Sequence, residues 1–105
     1  MNPEVIAVDQ DSLGVQGWLA RSRPSELQVW IKPLAGGARA VVLLNRSSLQ
    51  TVITAPWHRM HLSSPSATVR DLWRHQDMGT FTDHYSATVP AHGAVMLRIT
   101  PVAAK

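Results

Sequence analysis

From residue 26 onward, apolar side chains recur at alternate positions in short runs, and each run stops at glycine, proline or a serine cluster. A period of two belongs to strands, whose successive side chains point to opposite faces of a sheet. An isolated hairpin is barely stable in water, so runs like these have to pair into a larger sheet system.

Residues 26–34 (ELQVWIKPL) place Leu27, Val29 and Ile31 on one face and Gln28, Trp30 and Lys32 on the other, as in a half-buried strand. Gly36-Gly37 marks a turn. The continuous apolar run 40–44 in ARAVVLLNRSS suits a strand buried on both faces, completing a hairpin. Residues 45–48 read as a loop. Residues 49–55 (LQTVITA) alternate again and end at Pro56. After the Ser/Pro cluster 63–66, residues 67–73 (ATVRDLW) read as a strand, with Val69 and Asp71 on one face and Arg70 and Leu72 on the other. Residues 76–79 are read as a turn, 80–89 (TFTDHYSATV) as one strand, 90–93 as a turn and 94–100 (AVMLRIT) as the closing strand. Six to eight short strands at regular spacing predict an all-β antiparallel domain, a sandwich or an open barrel.

The segment before these runs differs. In residues 2–17 (NPEVIAVDQDSLGVQG), Asn2 suits an N-cap, Pro3 the first helical position and Glu4 the first turn. Val5, Ile6 and Val8 give an apolar stripe, and Gly14 a stop. This predicts a short helix, which is marginal in water without a surface to pack on.

With 105 residues and 45% apolar content, the chain can build one domain with a true core. It has no cysteine, which excludes disulfides, thiolate metal sites and cysteine nucleophiles. The net charge is +3, but Arg21, Arg39, Arg59, Arg74 and Arg98 are scattered, so no nucleic-acid face is expected. No apolar run approaches the ~20 residues of a membrane helix, and no basic n-region precedes an apolar stretch, so neither membrane insertion nor a signal peptide is expected.

Candidate chemistry is thin. Asp9 and Asp11 stand two apart on a short helix and diverge. Asp77 and Asp83 flank a turn and could approach each other, although Asp is common in turns for local reasons. His58 and His61 are three apart between Pro56 and a turn cluster, while His75, His84 and His92 are isolated. A zinc site needs three or four converging ligands, so no metal and no cofactor is expected. Phosphate-binding loops and nucleophile elbows are missing from the sequence. Tryptophan most often serves packing, so Trp18, Trp30, Trp57 and Trp73 are first read as core or interface residues. Trp73, at the end of its strand, is expected to be buried, with truncation to alanine costing about 3–5 kcal/mol. If any indole stacks on a sugar ring, the candidates are Trp30, on the more polar face of its strand, and Trp73.

The opening stretch resembles the motif by which glycoside hydrolase family 27 α-galactosidases (melibiases) leave their catalytic barrel. Asn2, residues 5–11, Leu13, Gly14, Gln16 and Gly17 match it, with Ser12 in place of the usual proline. Val29-Trp30-Ile31-Lys32-Pro33-Leu34 is similar to the family's first C-terminal strand, and residues 40–47, ending Leu-Asn-Arg-Ser, to the next strand and loop. Val69-Arg70-Asp71-Leu72-Trp73, Gly79, Tyr85-Ser86 and Val89-Pro90-Ala91-His92-Gly93 follow in family order. Met60-His61-Leu62 stands where the family has Ile-Gly-Leu. The resemblance implies an antiparallel β-sandwich of Greek-key type after a (β/α)8 barrel that carries both catalytic aspartates of a retaining mechanism. Residues 1–14 would then be the remnant of the barrel's last helix and 15–105 the β-domain. The chain itself would hold no catalytic residue, and Asp9 and Asp11 would belong to the exit motif. Its expected partner is the barrel; a carbohydrate-binding role and a homodimer through Val5, Ile6 and Val8 are the alternatives. Members of that family are often secreted, periplasmic or lysosomal.

Overall fold

The alternating runs pair as antiparallel strands. A computed structural model describes residues 18–22, 26–62 and 64–102. The strands are β1 (Trp18–Ser22), β2 (Leu27–Pro33), β3 (Arg39–Asn45), β4 (Thr51–Pro56), β5 (Ser66–Asp71), β6 (Gln76–Thr82), β7 (His84–Val89) and β8 (Ala94–Pro101). Six form one sheet in the order β1-β2-β3-β8-β5-β6, and β4 pairs with β7 in a second. The last strand of the chain therefore lies in the interior of the large sheet, between β3 and β5. The expected N-terminal helix and its Val5, Ile6, Val8 stripe, with Asp9 and Asp11, lie outside the described residues.

The core sits between the sheets. The large sheet contributes Val29, Ile31, Val41, Leu43, Ala67, Val69, Leu97 and Ile99, and the small one Ile53, Ala55 and Val89. Alternation decides this: Val29 and Ile31 are buried as read, while Trp30 faces out. Trp57 lies in a single 3₁₀ turn after β4; it is 4% exposed, and its indole N–H donates to the Phe81 carbonyl at 3.2 Å. Phe81 and Tyr85 meet edge to face, with centroids 4.8 Å apart. On the other side of the large sheet, the 34–38 loop and Leu72 fold over Ala40, so that Leu34, Ala38, Ala40 and Leu72 form a smaller cluster with Met96. This accounts for the continuous apolar run in β3, which meets the core on one face and this cluster on the other.

Three buried or half-buried polar groups fix the corners. Asn45 is fully buried and uses its whole amide: Nδ2 donates to the carbonyls of Leu49 (2.8 Å) and Val89 (3.0 Å), and Oδ1 accepts from the Ser47 N–H (2.9 Å) and Oγ (2.6 Å). Arg39 donates to four carbonyls, those of Gly37, Ala38, Met60 and His61, tying the β2–β3 turn to the loop after Trp57. Asp71 accepts from the N–H groups of Trp73 and Arg74, both at 3.0 Å, and so turns the chain at the end of β5.

Three expectations are corrected here. The turn between β5 and β6 falls at residues 72–75, not 76–79, because Asp71 rather than Gly79 makes it. Gly79 instead sits within β6 at φ 115, beside the place where β5 pairs Val69 with Gly79 and Arg70 with Asp77, leaving Met78 as the extra residue of a bulge. The run 80–89 is two strands in different sheets, broken by Asp83 at φ 68. Trp73, placed beyond the strand by the Asp71 turn, is 51% exposed rather than buried.

Candidate functional site

Among the described residues, the carboxylates do not gather. Asp77 and Asp83 lie near opposite ends of β6. Six residues of strand separate their backbones by about 20 Å, well beyond the ~5–10 Å that a glycosidase pair needs. Asp77 pairs instead with Arg70 at 3.1 Å on the surface. Asp71 is committed to its turn, with Arg74 Nε 3.9 Å from its other oxygen. Burial first, and then the Asp71 carboxylate, push the Tyr85 phenol above its ordinary value of 10.0, while Arg74 pulls the other way.

The histidines are spread likewise. His61, His75 and His92 have positive φ, near 54° in each case, and serve turns. His58 is exposed in the 3₁₀ turn, and His84 opens β7. Among the described residues, no three His, Asp or Glu side chains come together.

What the strands do assemble is a surface. On the outer face of the large sheet, Trp30 of β2, Val42 of β3 and Met96 of β8 stand in direct register. Their backbones span about 10 Å across three strands. Trp30 is 41% exposed, yet its ring is held: Nε1 donates to Oε1 of Gln28, two residues earlier on the same face, at 2.9 Å. The next row in register is Lys32, Ala40, Arg98, Arg70 and Asp77. An ordered indole on an apolar row, with Lys32 and Arg98 in the row to one side, is the composition of a protein interface core and its border. Trp73, the second sugar candidate, projects from the β5–β6 turn three strands away from Trp30, so the two indoles do not form one platform. The alternation of β2 made Trp30 legible as an outward residue. Nothing local in the sequence indicated that Val42 and Met96 would line up with it, because that register depends on β8 returning beside β3.

The profile of the alpha galactosidase C-terminal beta sandwich domain matches residues 24–99. A probable alpha-galactosidase of Dictyostelium discoideum is 44% identical over 102 residues, covering 93% of this chain and 26% of that protein. The alpha-galactosidase of Oryza sativa subsp. japonica is 46% identical over 101 residues, covering 95% and 24%. The chain thus spans about a quarter of the length of these relatives. Among solved structures, alpha-galactosidase I of Mortierella vinacea superposes with a TM-score of 0.90 at 34% identity, over 100% of this chain and 28% of that one. A GH27 β-L-arabinopyranosidase of Geobacillus stearothermophilus shares the fold, with a TM-score of 0.88 at 22% identity over 100% of this chain and 23% of its own.

Proposed function

Because the chain belongs to the family of α-galactosidase C-terminal β-sandwich domains, we propose that it is the non-catalytic partner of a catalytic (β/α)8 barrel, packing on the barrel and stabilising it. In this reading residues 1–14 belong to the barrel's last helix and 15–105 to the β-domain, in a Greek-key path. The barrel supplies both carboxylates for retaining hydrolysis of terminal α-galactosides. The observation that carries the reading is the outer face: an ordered, 41% exposed indole at Trp30 in register with half-buried Val42 and Met96. Apolar area left in water forgoes about 25 cal/mol per Å², so this row favours a partner.

The test mixes the chain with the barrel portion of the Oryza sativa α-galactosidase and follows the half-life of galactosidase activity on heating. The intact chain is expected to lengthen it and Trp30→Asp to abolish the effect. Equal protection by both chains removes the reading. A second reading, a carbohydrate-binding module using Trp30 or Trp73, is favoured by the exposure of both indoles. Saturable binding of galactomannan that is lost in Trp30→Ala or Trp73→Ala would select it. A homodimer through Val5, Ile6 and Val8 is a third cover for apolar surface, and sedimentation at two concentrations distinguishes it.

A further inference from the structure

Beside the end of β4, Trp57, His58, Leu62, Ser64, Pro65 and Asp83 line an open cleft of about 400 Å³. Small-ligand sites run to roughly 300–1,000 Å³. Trp57 and Leu62 pack into the core between the sheets, which sets the cleft on the other side of the large sheet from Trp30. The docking reading makes no use of it.

The cleft is preformed. The Asp83 N–H donates to the Pro65 carbonyl at 2.9 Å, and the Trp57 N–H to the Asp83 carbonyl at 2.8 Å. Arg39 holds the adjoining loop through the carbonyls of Met60 and His61. Asp83, at φ 68, leaves the strand alternation between β6 and β7. Its carboxylate and the His58 imidazole hydrogen-bond to nothing among the described residues. Among the described residues, Ser64 Oγ accepts from the Ser66 N–H alone, at 3.3 Å, leaving its own proton to donate.

These groups narrow the ligand. The Asp83 carboxylate repels an anion. A cation meets a chain of net charge +3 with exposed Arg59 beside His58. A neutral ligand with hydroxyls on one edge and C–H groups on the other suits both halves of the lining: charge-assisted acceptance by Asp83, and an apolar wall from Leu62 and Pro65. We infer that this cleft binds one neutral pyranose unit, with Asp83 accepting from adjacent hydroxyls, His58 and Ser64 completing the polar edge, and Leu62 and Pro65 under the ring. A single ring with this few contacts binds on the order of millimolar.

The test is a titration of the ¹⁵N-labelled chain with galactose, mannose and melibiose to about 100 mM, well past such an affinity. Saturable shifts are expected at the Asp83 and His58 amides and at the Trp57 indole. Asp83→Asn keeps a residue that tolerates positive φ and is expected to weaken binding about tenfold. Trp30→Ala is expected to titrate like the parent, so a failed docking reading leaves this result untouched, and the reverse holds as well. If Asp83→Asn does not fold by circular dichroism, His58→Ala takes its place with the same expected loss. The inference is overturned by no saturable shift with any of the three sugars, by parent-like binding in the folded cleft variant, or by shifts centred on Trp30 or Trp73.

Discussion

Asn45 stands in a Leu-Asn-Arg-Ser stretch that reads from sequence as the start of a loop, and polar residues in loops are ordinarily solvated. Here the side chain is buried and satisfies two carbonyls and two donors, joining its own loop at Ser47 and Leu49 to the end of β7 at Val89. Asn45→Ala removes all four bonds, among them the buried one to the Val89 carbonyl, whereas the Leu49 carbonyl still accepts from Ser47 and Thr51. The expected loss is about 2–4 kcal/mol, read as a shift in the denaturant midpoint with an unchanged slope. Trp73 gives the opposite lesson. Its neighbours Val69 to Leu72 alternate well enough to carry it into the core, but Asp71 caps the turn and sends it outward. Trp73→Ala is therefore expected to change stability by no more than about 0.5 kcal/mol, the usual range for surface substitutions. A midpoint shift several times larger would show that the indole is covered. The burial of Asn45 and the exposure of Trp73 are hidden from the sequence for one reason: side chain-to-backbone hydrogen bonds leave no trace in a pattern of apolar spacing.

At the level of the element, the strands were largely legible and their interruptions were not. Val29 and Ile31 in β2, and Leu97 and Ile99 in β8, fall on the core side as their spacing requires. The break at Asp83 is hidden because TFTDHYSATV keeps strand-forming residues on both sides of it. Gly79 was visible as a glycine, but a glycine marks a bulge as readily as a turn. At φ 115 it occupies a region that other residues enter at a cost of about 1–3 kcal/mol. The nearest heavy atom to an added Cβ is Phe81 Cε2 at 3.8 Å, so space is not the obstacle. Gly79→Ala should thus lose about 1–3 kcal/mol through backbone strain alone, and thermal melts should show it without a change in core fluorescence. If Gly79→Ala melts like the parent, the bulge relaxes freely.

Across the whole molecule, the sequence carries the sheet architecture through period and turn signals, and the family through motif order. It does not carry the register that sets Trp30, Val42 and Met96 in one row, nor the meeting of residues 57–65 with Asp83 in one cleft. Both depend on contacts between residues far apart along the chain, which local spacing does not encode. The central position of β8 then has a consequence for how the protein is made. A ribosome delivers strands in order at ~5–20 residues per second, and until residues 94–101 emerge, β3 and β5 each present an open edge to the cell. Unpaired edges of this kind invite pairing with other chains. A nascent chain halted after Gly93 should therefore be held by chaperones or aggregate, whereas release of the last strand closes the sheet in one step. Arrested nascent chains of the two lengths, compared for protease resistance, should differ sharply. Equal resistance would mean that the sheet closes without its final strand.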